Sequence, residues 1–74
     1  QGIIDAWFYE KNENGENEIV VVDYKTDHVR DPEELVERYR QQLQYYEQAL
    51  TMVTGKRVRE RLIYSFALGK LIPV

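Results

Sequence analysis

The chain has no cysteine, so neither a disulfide framework nor a zinc-thiolate centre holds it together. Proline appears twice and glycine four times, without internal repeats or a low-complexity linker. No apolar run approaches the roughly 20 residues that a membrane-spanning helix needs, and no signal-like segment opens the sequence. There is no membrane role in this pattern, and a reducing cytoplasm is the expected setting. A glycine-rich phosphate loop is also missing, which leaves the chain without an ATP site of the P-loop kind. Gln1 leads straight into a strand pattern without an initiating methionine, so a piece of a longer polypeptide is expected.

What is present suits one small domain. The 74 residues are 43% hydrophobic and include six tyrosines, near the size at which a single core just supports itself. The net charge of −3 conceals an asymmetry: residues 1–37 carry 11 acidic and 3 basic side chains, and residues 38–74 carry 2 and 7. One half can therefore attract cations and the other polyanions, although most such charges on any protein are simply solvated.

Residues 3–10 and 18–26 are rich in β-branched and aromatic side chains and read as strands joined by turn chemistry around Asn14-Gly15. Trp7 is expected in the core. Asp31-Pro32-Glu33-Glu34 is a helix start, with Asp31 as N-cap, Pro32 at the first helical position and two acids where the helix dipole favours them. The helix should run to about Thr54 and end at Gly55. Leu35, Tyr39, Leu43, Tyr46, Leu50 and Val53 recur at three- and four-residue spacing and mark its buried stripe, with the amide of Gln42 on or beside it. After the basic run at 56–61, residues 62–68 form a strand, and Leu71-Ile72-Pro73 a short returning edge strand. The expected order is strand, strand, long helix, strand, short strand: an α/β unit with a parallel crossover through the helix.

Chemistry concentrates at the end of the second strand, Val20-Val21-Val22-Asp23-Tyr24-Lys25-Thr26. Positions i and i+2 of a strand share a face, so Asp23 and Lys25 point into one space. Asp5 supplies a second carboxylate from the first strand. A two-residue turn centred on Asn14-Gly15 would set Asp5 opposite Tyr24, on the wrong face from Asp23. A three- or five-residue loop, with Gly15 in a left-handed conformation, shifts the register by one and brings the carboxylates together. The odd-length loop is the expectation. Two carboxylates and a lysine converging there suit a divalent-metal phosphodiesterase site. On spacing alone, Asp23 and Lys25 also read as an ordinary strand-end ion pair, Gln42 as a backbone-bonded amide and Tyr46 as core. His28, in the loop after the strand, reads as a solvated group. Lys56, Arg57, Arg59 and Arg61 are candidates for phosphate contact or a solvated strand margin.

An Asp on one strand, Asp-x-Lys on the next and then a helix is the order of the PD-(D/E)xK nuclease core, which this chain resembles. Gln42-Leu43-Gln44-Tyr45-Tyr46 matches the Gln-x-x-x-Tyr helix motif of the RecB-type nuclease module. Val22-Asp23-Tyr24-Lys25-Thr26-Asp27, Val36-Glu37-Arg38-Tyr39, Ala49-Leu50 and Tyr64-Ser65-Phe66-Ala67-Leu68-Gly69 extend the likeness to nuclease domains of the AddA type, over nearly all 74 residues. The resemblance implies a restriction-endonuclease-like α/β core with Asp5 and Asp23 as Mg²⁺ ligands, Mn²⁺ able to substitute, and the Tyr24 carbonyl as a third. Lys25 would be the catalytic lysine, and Gln42 and Tyr46 would border the site and position DNA. It implies an exonuclease module of a bacterial helicase-nuclease that processes double-strand breaks for recombinational repair. ATP would act only through helicase domains elsewhere, and the partner subunit would be that of an AddAB-type complex. The family's first core helix, with a further acidic or His ligand, has no counterpart here. Residues 1–74 are thus expected to be a partial nuclease domain, inactive alone. The rival expectation is a non-catalytic DNA-binding, docking or self-associating module.

Overall fold

The computed structural model describes residues 4–74; Gly2 and Ile3, the expected start of the first strand, lie outside them. The elements are β1 (Ala6–Lys11), β2 (Asn17–Lys25), α1 (Pro32–Thr54), β3 (Val58–Ser65) and β4 (Lys70–Pro73). They form a four-stranded mixed sheet in the order β1-β2-β3-β4, with β2 and β3 parallel and both outer pairings antiparallel. The parallel step is the one that α1 connects.

The hairpin loop has five residues, 12–16, the odd length that the carboxylates require. Asn12 organises it: its side-chain Oδ1 accepts the N–H groups of Asn14 at 2.9 Å and Glu16 at 3.0 Å, and its own N–H donates to the Glu16 carbonyl at 2.8 Å. Gly15 sits at φ 78°, where a side chain would be strained. Ala6 consequently faces Val22, and Asp5, one residue earlier, meets Asp23.

Both ends of α1 follow local chemistry. Asp31 accepts the Glu33 N–H at 2.9 Å, and the Glu34 carboxylate reaches back to accept the Arg30 N–H at 2.9 Å, so one donor of the first turn and one just ahead of the cap are satisfied. At the other end Gly55 adopts φ 70° and donates to the Thr51 carbonyl at 2.8 Å.

Leu35, Leu43, Tyr46 and Leu50 of α1 bury against Ile19, Val21, Val58, Ile63 and Ile72 of the sheet. Tyr39 packs partly buried against this core. Val53 departs from the expected stripe: it lies at the right angle in the last helical turn but is 82% exposed. Trp7 departs too. Its strand is the sheet edge outside the α1 core, so the indole is 40% exposed and lies at right angles to the Tyr9 ring, with centroids 5.5 Å apart. β3 begins at Val58, earlier than the apolar run at 62–68. Its basic side chains are tolerated there because acids face them: Arg59 pairs with Glu10 at 2.9 Å and Arg61 with Glu47 at 3.0 Å, and Arg57, just ahead of the strand, pairs with Glu18 at 3.2 Å.

On the sheet face away from α1, Tyr24, Tyr64 and Phe66 form an aromatic cluster with centroids 5.1 to 6.4 Å apart. Among the described residues no helix or strand layer covers that face, and Phe8, Tyr24, Phe66 and Leu71 remain about half exposed.

Candidate active site

Alternation along β2 sends Ile19, Val21, Asp23 and Lys25 toward α1 and Val20, Val22 and Tyr24 to the other face. Asp23 thus ends a buried apolar row and is itself only 2% exposed. Asp5 approaches it from the hairpin partner and is fixed by the Tyr24 N–H, which donates to Asp5 Oδ2 at 2.8 Å. In an extended strand the N–H and C=O of one residue leave by the same edge, so the Tyr24 carbonyl also leaves on the Asp5 side. The following carbonyl, of Lys25, points the opposite way and accepts the Phe66 N–H at 3.1 Å.

Lys25 is held from three directions. Its ammonium lies 2.9 Å from Asp23 Oδ2, donates to Gln42 Oε1 at 3.0 Å and sits 4.0 Å from the centroid of the Tyr39 ring. Tyr39 is anchored in turn: its hydroxyl donates to Asp27 Oδ2 at 2.8 Å, and Arg38 pairs with that same oxygen at 2.6 Å. Gln42 explains itself here, since its amide oxygen on the stripe's margin meets an ammonium instead of leucine. Sequence reasoning placed Tyr39 in the core stripe and missed its ring beneath the lysine. The available signal was its position three residues before Gln42, on the same side of the helix.

The electrostatics divide the two carboxylates. Asp5, hydrogen-bonded by the Tyr24 N–H and then by Asp23, is held below the usual aspartate range. Burial, and next the neighbouring Asp5, push Asp23 above it, against the opposing pull of Lys25. Burial alone would lower the lysine, but the Asp23 carboxylate outweighs that and moves it up. Burial and then the charge of Asp23 raise the Tyr46 hydroxyl, which titrates under the influence of Asp23, Lys25 and Asp5 together. The two shifts on the Asp23–Lys25 pair therefore do not mirror each other, because Asp23 has a second acid beside it and the lysine does not.

Asp23 Oδ2 is buried and makes no aligned hydrogen bond; its contact with Lys25 is an ion contact only. A buried carboxylate oxygen with spare capacity, a second carboxylate and a main-chain oxygen on one edge are hard donors suited to a small divalent cation. Among the described residues no group of three His, Cys, Asp or Glu side chains is close enough to hold a metal. Magnesium commonly retains several waters around one or two carboxylates, which this donor set fits. His28 is exposed in the loop between β2 and α1.

Fold and site together define an α/β unit with an acidic, lysine-bearing strand end. No family model matches the chain. Proteins whose names describe a subunit of an ATP-dependent helicase/nuclease do match: that of Lachnoclostridium phytofermentans at 51% identity over 76 residues, and those of Clostridium botulinum at 43% (strain Hall) and 45% (strain Loch Maree) over 74. All of this chain is covered in each case, and the chain spans about 5% of the length of each relative. Among the described residues no helix is long and apolar enough to cross a membrane.

Proposed function

We propose that residues 1–74 are part of a PD-(D/E)xK, restriction-endonuclease-like domain that serves as the metal-dependent deoxyribonuclease module of a bacterial helicase-nuclease, an exonuclease acting in double-strand-break repair. The observation that carries this reading is the apposition of Asp5 and Asp23 with Lys25 fixed beside them. The names of the relatives support it independently.

Asp5, Asp23 and the Tyr24 carbonyl would hold Mg²⁺ or Mn²⁺. Such an ion, when bound, lowers the pKa of a coordinated water and polarises a phosphate oxygen. The chain's own groups do the rest. Lys25, immobilised by Gln42 and the Tyr39 ring, presents a fixed positive charge to the negative charge that develops during phosphodiester cleavage. Gln42 and Tyr46 border the cluster and orient the DNA strand. ATP dependence belongs to helicase sequence outside this chain, as does the contact with the second protein of an AddAB-type complex, and the cytoplasm is the setting.

Calorimetry tests the metal centre: Mn²⁺ should bind weakly to the wild-type chain and more weakly still to Asp5→Asn/Asp23→Asn. Equal affinity in both would sink the assignment. The isolated chain should cleave DNA little or not at all, and robust metal-dependent cleavage lost on Lys25→Ala would show that these residues suffice. The uncovered aromatic sheet face favours a second reading, a non-catalytic docking or self-associating module; Mn²⁺ binding at the carboxylates separates the two.

A further inference from the structure

Alternation along β1 places Trp7, Tyr9 and Lys11 on one face of the outermost strand, the face that also carries Asp23 and Lys25, and Asp5, one residue ahead of the strand, lies beside Asp23 in line with them. At about 3.4 Å per residue the indole stands about 7 Å and the phenol about 14 Å from Asp5 along the strand. Apolar rings on that side of the sheet ordinarily bury under α1. Here α1 packs on β2, β3 and β4 and no β1 residue joins its core, the two rings stay 40% and 46% exposed, and they meet each other edge to face. Lys11, at the far end, is exposed and reaches the Gly15 carbonyl and Asn17 Oδ1 only through long contacts of 3.4 and 3.3 Å.

We propose that Trp7 and Tyr9 form a base-stacking platform for single-stranded DNA, with Lys11 taking a phosphate at its outer end, that leads the strand's phosphodiesters to Asp5 and Asp23. The proposal rests on the nuclease reading of that carboxylate pair. Its physical basis is the continuity of the row with the site: indole, phenol and ammonium follow one another at alternate positions of β1, and the Asp5 carboxylate stands two residues before the indole. Aromatic faces bind unpaired bases whatever their sequence, whereas in a duplex those faces are already stacked, so the occupant is a single strand. A cation at the end of the row complements its backbone.

Trp7 is the sole tryptophan, so its fluorescence reports on the platform directly. The 74-residue chain should be titrated with oligo(dT), with a duplex and with an abasic deoxyribose-phosphate oligomer of equal length. Saturable quenching by oligo(dT), with little from the other two, is expected. Tyr9→Ala should weaken oligo(dT) binding about 10-fold, the scale of losing one stacked base, and Tyr9→Leu, which keeps the apolar bulk, should weaken it similarly. Lys11→Gln should lower the salt dependence of binding by about one counterion. Quenching should survive Asp5→Asn/Asp23→Asn. A chain that binds Mn²⁺ but shows no quenching would overturn the platform and leave the metal centre standing; quenching without Mn²⁺ binding would keep the platform and remove the metal centre. Equal quenching by the abasic oligomer would reduce the contact to phosphate and overturn the proposal. So would a blue shift that grows with protein concentration in the absence of DNA, since a second copy would then be covering the rings.

Discussion

Asp23 concentrates the physical tension at the residue scale. A carboxyl that is buried and set against a second carboxyl favours its proton, whereas a divalent cation demands the carboxylate. With the folded pKa raised above the unfolded value, the stability Asp23 contributes without metal is present below the unfolded pKa and fades as pH rises through the folded one. At pH values near and below that raised pKa, where the calorimetry is run, metal binding should therefore release a proton, and Mn²⁺ affinity should climb with pH across it. Calorimetry in buffers of different ionisation enthalpy reads the proton directly; Asp23→Asn should abolish it, and buffer-independent heats for the wild type would contradict the arrangement. Gln42 allows a second prediction. Leu at 42 would extend the apolar stripe, so Gln42→Leu should leave thermal stability unchanged or slightly raised while freeing one side of the Lys25 ammonium. Cleavage by the longer polypeptide should then fall about 10-fold in kcat/KM, about 1.4 kcal/mol of transition-state stabilisation. Unchanged cleavage together with unchanged stability would return Gln42 to a structural role.

At the scale of elements, the hairpin loop decides whether the site exists. Pairing Lys11 with Asn17 across five loop residues sets Asp5 against Asp23; a one-residue slip that pairs Asn12 with Asn17 would set Asp5 against Tyr24 and turn its carboxylate to the opposite face. Deleting Glu10 from β1, which with Lys11 still opposite Asn17 moves Asp5 opposite Val22, should therefore abolish Mn²⁺ binding while the helix and the β2–β3 pairing persist, and should remove the Tyr24 N–H bond to Asp5, visible as loss of hydrogen-exchange protection at that amide. Retained Mn²⁺ affinity in the deletion variant would mean that β1 has slipped to restore its register or that the carboxylate pair is not the centre. This register was legible because face alternation admits only odd loop lengths, and Gly15 supplied the left-handed residue such a loop uses. The helix ends were legible for the same local reason, since Asp31, Pro32 and Gly55 act on their immediate neighbours. The start of β3 was not: Arg59 and Arg61 read as surface until Glu10 and Glu47, distant in sequence, are brought opposite them.

For the whole molecule, the unequal treatment of the two sheet faces matters most. One α-helix buries one face and leaves Phe8, Tyr24, Phe66 and Leu71 on the other in contact with water, a large loss of apolar burial for a chain this small. The isolated chain should consequently associate as its concentration rises, and Phe66→Lys/Leu71→Lys should return it to a monomer without weakening Mn²⁺ binding, because those side chains lie on the face away from Asp23. Sedimentation velocity across a concentration series checks this, and a wild type that stays monomeric throughout would count against it.

Sequence by itself determined what depends on near neighbours and on periodicity: the α/β order, both caps of α1, the odd hairpin loop and the meeting of Asp5, Asp23 and Lys25 on one side of the sheet. Tertiary structure decided what depends on where elements stop and what lies over them. Val53 kept its helical angle but stays exposed in the last turn, and Trp7 kept its strand face but not its cover because α1 packs on β2, β3 and β4 and not on β1. Tyr39 fits the apolar period equally well as a core ring or as a cation's platform. Only the approach of β2 to α1, with Lys25 above the ring and Asp27 at its hydroxyl, chooses between them.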